Sequence, residues 1–346
     1  MADVKKLLVS PSPHIHSGDS IERNMYDVVI ALLPALIVSI IFFGTDALLV
    51  TLTSIVACLL FEWVIARFLL GRKELSILDG SAIVTGLLLA LNLPSNLPLW
   101  IVVIGALVAI GMGKMAYGGL GNNIFNPAIL GRVFLLVSFP LQMTSFPEVG
   151  KRLISSGVDV NSGATAFDAH SYATPLAIIK GVAKGADGFS LEQLPSAMDL
   201  FIGQNGGSFG EVSAIALLIG FIYLLVRRVV TWHIPIAVLL VTYIFAGIMY
   251  LVDPLHYADP LFHILGGGMI LGACFMATDY TTSPMSKSGM LLYGAFIGLI
   301  TMLIRLFGSY PEGMSFAILI MNAFTPMINR FMPPRLFGAK VVKAKS

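Results

Sequence analysis

Tyr26-Asp-Val-Val-Ile-Ala-Leu-Leu-Pro34-Ala-Leu-Ile-Val-Ser-Ile-Ile-Phe-Phe43 is a long apolar run, broken only by Asp27 near its start, Pro34 at its middle and the hydroxyl of Ser39. A helix needs about 20 such residues to cross a bilayer, and a proline inside it is tolerated where neighbouring groups satisfy the freed backbone. The rest of the chain repeats the pattern. Of its 346 residues 57% are hydrophobic and 12% charged, with mean hydropathy +0.88, whereas about 25% charged is usual for soluble domains. Further runs follow at roughly 47–70, 80–93, 97–116, 125–141, 211–230, 234–251, 258–277, 288–308 and 312–331. The fold class predicted is therefore an all-α polytopic membrane protein with about ten transmembrane helices in two groups of five.

Around this run the chain divides into an N-terminal segment 1–24, a five-helix unit 25–141, a long loop 142–210, a second five-helix unit 211–331 and a basic tail 332–346. The start carries Lys5 and Lys6 but only a short apolar run before Pro11 and Pro13. No signal-peptide core is expected there, and the first helix serves as the insertion signal. Cys58 and Cys274 both sit inside apolar runs, which argues against a disulfide framework and against a clustered metal site. The six histidines lie in loops or singly near segment ends and are read as interfacial or solvated, with no ligand role.

Basic residues set the orientation, because Lys and Arg concentrate in cytoplasmic loops. Arg23 precedes helix one, Arg72 and Lys73 lie between two and three, Lys114 follows four, Arg227 and Arg228 follow six, and Lys287 precedes nine. All fall on one side if the N-terminus is cytoplasmic. Both termini are then cytoplasmic and the 142–210 loop is extracytoplasmic.

The two halves resemble each other at a nearly constant offset. Gly80-Ser-Ala-Ile-Val-Thr-Gly86 lies over Gly266-Gly-Gly-Met-Ile-Leu-Gly272, and Gly119 with Ala128-Ile-Leu130 lies over Gly308 with Ala317-Ile-Leu319. Repeats with an odd helix count sit upside down relative to one another, so two inverted five-helix repeats are expected. Helices three and eight are the shortest and are flanked by glycine. Such segments point either to a midplane pathway built from discontinuous helices or simply to close packing through small residues.

Ionisable groups inside the membrane are functional candidates by default. Arg132 and Arg305 are the two of note, and snorkelling to the interface is the expected behaviour of Arg132. Asn126-Pro127 reads as a helix start, with Asn as cap and Pro at the first helical position. The glycines from Gly118 onward form a tight turn, since the P-loop Lys-Ser/Thr is missing. In the long loop, Asp159-Val-Asn-Ser-Gly-Ala-Thr165 and Asp168-Ala-His-Ser171-Tyr-Ala173-Thr174 share the pattern D-x-x-S-x-A-T. Each presents a hydroxyl among small residues with a carboxylate upstream, open to a modifying enzyme. Thr174 is equally suited to cap a helix that opens with Pro175.

These motifs, together with Ser12 to Gly18, Asp79 to Pro94, Gly118 to Arg132 and Phe275-Met-Ala-Thr-Asp279-Tyr-Thr-Thr-Ser-Pro284, resemble the RnfD/NqrB family, whose members serve the Rnf ion-translocating electron-transport complex and the sodium-pumping NADH:quinone reductase. The resemblance is closer to the Rnf members and covers essentially the whole chain. It implies FMN held by a phosphoester to an extracytoplasmic Thr, transferred from FAD by a flavin transferase that recognises D-x-x-[ST]-G-A-T. Asp168, Ser171, Ala173 and Thr174 are the matching residues, with Tyr172 where Gly is usual. Thr165 is the alternative attachment, and Thr174 is preferred because Pro175-Leu-Ala-Ile-Ile-Lys180 resembles the family's continuation. The resemblance also implies a second, non-covalent flavin, riboflavin, in some members. It further implies a bacterial inner-membrane complex, with partner membrane and peripheral subunits, that couples electron transfer between ferredoxin and NAD to Na⁺ or H⁺ movement. The chain alone is expected to catalyse nothing. Membrane lipid is an expected partner and nucleic acid is not. A solute channel or secondary transporter with inverted repeats is the competing reading.

Overall fold

The computed structural model describes residues 20–71, 79–146, 174–183, 190, 194–203, 207–211 and 213–334. The first helix, α1 (Ile21–Phe43), is capped by Ser20, whose hydroxyl accepts the Arg23 N–H. Gly44 at φ +67 turns the chain directly into α2 (Thr45–Leu69), a conformation that glycine adopts without a steric penalty. There follow α3 (Ser81–Leu91), α4 (Leu99–Tyr117), α5 (Pro127–Ser138) and the single turn α6 (Pro140–Thr144). In the middle of the chain lie α7 (Pro175–Ala183) and α8 (Ala197–Ile202). The second half comprises α9 (Ala214–Val226), α10 (His233–Val252), α11 (Pro260–Leu265), α12 (Met269–Leu271, running on as a π-helical turn over Gly272–Met276), α13 (Lys287–Phe307) and α14 (Met314–Phe331).

The described residues are all-helical without strands. By length and composition α1, α2, α4, α10 and α13 are able to cross a membrane, while α3, α5 and α9 are shorter apolar helices. Each of the ten runs expected from the sequence contains helix, with two departures. The eighth is interrupted at Gly266–Gly268, so that α11 and α12 stand as separate pieces. The fifth stops at Ser138, because Phe139 leaves helical geometry ahead of Pro140. At 11 residues α3 is about 16 Å long, roughly half the hydrocarbon thickness.

Packing partners recur between the halves. In the first half α3 packs on α1, α2 and α5, α2 on α4, and α4 on α5. In the second, α12 packs on α9, α10 and α14, α10 on α13, and α13 on α14. Two further contacts, α1 on α9 and α5 on α14, join the halves through helices of equal rank. Close approach depends on small residues: a Cβ on Gly220 of α9 would overlap the Ala31 carbonyl of α1. In lipid, where apolar burial between helices gains little, such approach is what dispersion packing requires.

Candidate functional site

Thr174 stands immediately before α7 and caps it. Its Oγ1 accepts the Ala177 N–H at 3.2 Å, and its carbonyl accepts those of Ala177 and Ile178 at 2.8 and 3.0 Å. The side chain is half-buried. Pro175 fits the first helical position because its missing N–H would be unsatisfied there in any case. The capping role read from the sequence is thus present. Thr165, Asp168, Ser171 and Ala173 lie outside the described residues.

A second constellation joins the halves where α3 ends. Asn92 Nδ2 donates to the Leu88 carbonyl at 2.7 Å and lies 3.3 Å from Met276 Sδ, while its Oδ1 accepts Arg132 Nη1 at 3.1 Å. Arg132 also donates to Ser315 Oγ at 2.7 Å and pairs with Glu312. Asn126 caps α5 as expected, accepting the N–H groups of Ala128 and Ile129, and its amide nitrogen donates to the Met276 carbonyl at 3.1 Å. These bonds satisfy backbone exposed where α3 and α12 end, which an apolar medium demands. They also correct the expectation for Arg132. It does not snorkel: it is buried, because Glu312 and Ser315 of the other half supply the partners that water would have offered.

Lys114 departs from expectation in the same way. The sequence reads it as a basic-ladder residue, yet it is 2% exposed and lies 2.7 Å from both carboxylate oxygens of Glu62, which is 0% exposed. Its ammonium also donates to Ser81 Oγ, and Ser81 in turn donates to Asp79. The π-helical turn Val108–Lys114 precedes this contact; such turns change the angle at which a side chain leaves a helix. Glu62 had a signal in the sequence, as a lone acid within an apolar run. So had Lys114, a lone base within the run 97–116, but no pattern in the sequence paired the two. Two histidines also differ from the solvated reading, since His263 and His233 are buried and the Nδ1 atoms of both have no hydrogen-bond partner.

Between these networks opens a cleft lined by Val84, Leu88, Asn123, Phe275 and Asp279 among others. Burial pushes the Asp279 carboxyl above its ordinary range, against hydrogen bonds from Thr281, Thr282 and Asn123 that pull it down.

Comparison with known proteins accounts for the length of the chain. The model of the NQR2, RnfD, RnfE family matches residues 8–338. The chain is 42% identical over 342 residues to the D component of the Na⁺-translocating ferredoxin:NAD⁺ oxidoreductase complex of Acetobacterium woodii, covering 98% of each. It is 39% identical over 348 residues to the D component of the proton-translocating ferredoxin:NAD⁺ oxidoreductase complex of Clostridium ljungdahlii, covering 98% of this chain and 99% of the relative. The D component of the ion-translocating oxidoreductase complex of Escherichia coli is 35% identical over 347 residues, with 95% and 98% covered.

Proposed function

The chain belongs to the NQR2, RnfD, RnfE family, and from that membership we propose that it is a membrane subunit of an ion-translocating ferredoxin:NAD⁺ oxidoreductase, relaying electrons through FMN esterified to Thr174. The observation that carries the flavin assignment is the position of Thr174 at the N-terminus of a nine-residue helix, half-buried, with Oγ1 already held by the Ala177 N–H. An ester oxygen still accepts that bond, and the helix dipole favours the negative phosphate. Bound there, FMN would exchange electrons singly or in pairs. The chain's own share is to fix the tether and to hold α7 on the membrane unit. In attachment, Thr174 Oγ1 would displace AMP from FAD: the new P–O bond would form as the phosphoanhydride breaks, AMP would leave, and the hydroxyl proton would pass to solvent. Other Rnf subunits and a flavin transferase are the partners this reading requires.

The basic ladder puts both termini in the cytoplasm and α7 outside. The recurring packing partners support two inverted repeats. For the non-covalent riboflavin we propose the cleft, on account of its mixture of amide and apolar lining. Val84→Trp should then lower extractable riboflavin without touching covalent FMN; unchanged riboflavin removes the cleft from consideration.

In-gel ultraviolet fluorescence of the denatured chain tests the flavin relay directly. A fluorescent band that disappears in Thr174→Ala is the expected result. A dark wild-type band would favour the transporter reading, and a band that survives Thr174→Ala would move the ester to Thr165.

A further inference from the structure

The interruption between α11 and α12 is organised from outside its own helix. Arg305 of α13 donates to the His263 carbonyl at 2.5 Å and to the Gly266 carbonyl at 3.0 Å, groups at the end of α11 that a continuous helix would have paired with later N–H donors. Gly267 then adopts φ +70, and a Cβ placed there would overlap Leu176 Cδ1 and lie 2.9 Å from Arg305 Nη2. The space a side chain would occupy is taken by Leu176. That residue is 4% exposed and two positions beyond Thr174.

Two more contacts hold the same helix. Leu176 and Ile179 form an apolar cluster with Ala258, against which Phe262 and Leu194 pack. Lys180 Nζ donates to the Tyr310 carbonyl in the connection between α13 and α14. All these contacts bar Leu194 are to residues 258–310, so α7 is fastened to the second five-helix unit. A nine-residue helix is not stable alone in water, so its position comes from these contacts and not from its own propensity.

We propose that Leu176 and Lys180 are positioning residues for Thr174: they key the helix that Thr174 caps to the interruption between α11 and α12, so that a group carried by Thr174 is held in register with that interruption. The inference rests on the flavin reading of Thr174 for its functional meaning, but the mechanical link does not need a flavin. A shift of the backbone at Gly267 displaces Leu176 because glycine leaves no side chain between them. Conversely, the outer helix closes the notch that the glycine opens.

The test uses the assembled complex. A nitroxide attached through Thr174→Cys, labelled from outside, reports mobility by its line shape; the native Cys58 and Cys274 are buried. The spectrum should be immobilised in the otherwise unchanged chain. Adding Leu176→Ala or Lys180→Met should raise the mobile fraction by about twofold or more, because a short helix without its anchoring contacts opens locally, and Lys180→Arg should restore the immobilised spectrum. Equal line shapes in all four would overturn the proposal. With Thr174 intact, peptide mass spectrometry of Leu176→Ala should still find flavin on Thr174, with its midpoint potential shifted from wild type. An unshifted potential would overturn the link to the cofactor. Absence of flavin from wild-type Thr174 would sink the attachment assignment alone, since the nitroxide arm is read without it.

Discussion

Lys114 Nζ stands 2.7 Å from both carboxylate oxygens of Glu62, and neither side chain is more than 2% exposed. A buried pair of this kind gains little over an apolar pair of the same shape, yet removing one partner strands a charge at a cost of about 3–5 kcal/mol. Lys114→Met should therefore lower thermal stability in detergent sharply, and Glu62→Gln combined with Lys114→Met should recover much of the loss. A double variant no better than the single would show that the pair is not an isolated unit but part of a wider network through Ser81 and Asp79.

Thr174→Ala removes one hydroxyl and one capping bond, worth about 1 kcal/mol to α7. Covalent flavin should disappear while the chain still inserts and assembles, and Thr174→Ser should keep part of it. Mass spectrometry of the loop peptide checks both.

Sidedness is tested with single cysteines. Met198 is 66% exposed on α8, and Met198→Cys should react with an impermeant thiol reagent outside intact cells, whereas Ser346→Cys should not. The reverse pattern would put α7 in the cytoplasm.

Gly86 faces the backbone of α2, where a Cβ would lie 2.8 Å from Ile55 Cα; at Gly272 the neighbour is the flexible Met314 side chain, at 2.5 Å. Gly86→Ala should thus destabilise the protein more than Gly272→Ala, because a helix backbone cannot swing aside. Melting curves that rank them oppositely would show that α2 and α3 separate readily, and would reopen α3 as part of an ion route.

Asp279 offers a pH test. Burial raises its folded carboxyl pKa above the unfolded value, so the folded state binds the proton more tightly. Its contribution to stability is complete below the unfolded pKa and is lost as pH rises through the folded one. The stability difference between Asp279→Asn and wild type should then shift in favour of the variant on going from mildly acidic to neutral pH. A pH-independent difference would mean that the hydroxyls of Thr281 and Thr282 offset the burial.

Hydropathy determined the helical class and the approximate positions of the spans, because a lipid solvent admits few ways of satisfying a backbone and long apolar runs are the signature of one of them. Local chemistry was equally legible where it needs only neighbours in sequence: Asn126 capping a helix opened by Pro127, and Thr174 doing the same ahead of Pro175. What depends on distant partners was not. Arg132 has the same sequence signature whether it snorkels or is buried, and only Glu312 and Ser315, brought in from the other half, make its burial stable. Lys114 carried a topological signal, and the fold alone set Glu62 beside it. The seat of Leu176 against Gly267 joins residues 91 positions apart. No periodicity records that contact, because it is decided by where α7 packs and not by what α7 is made of.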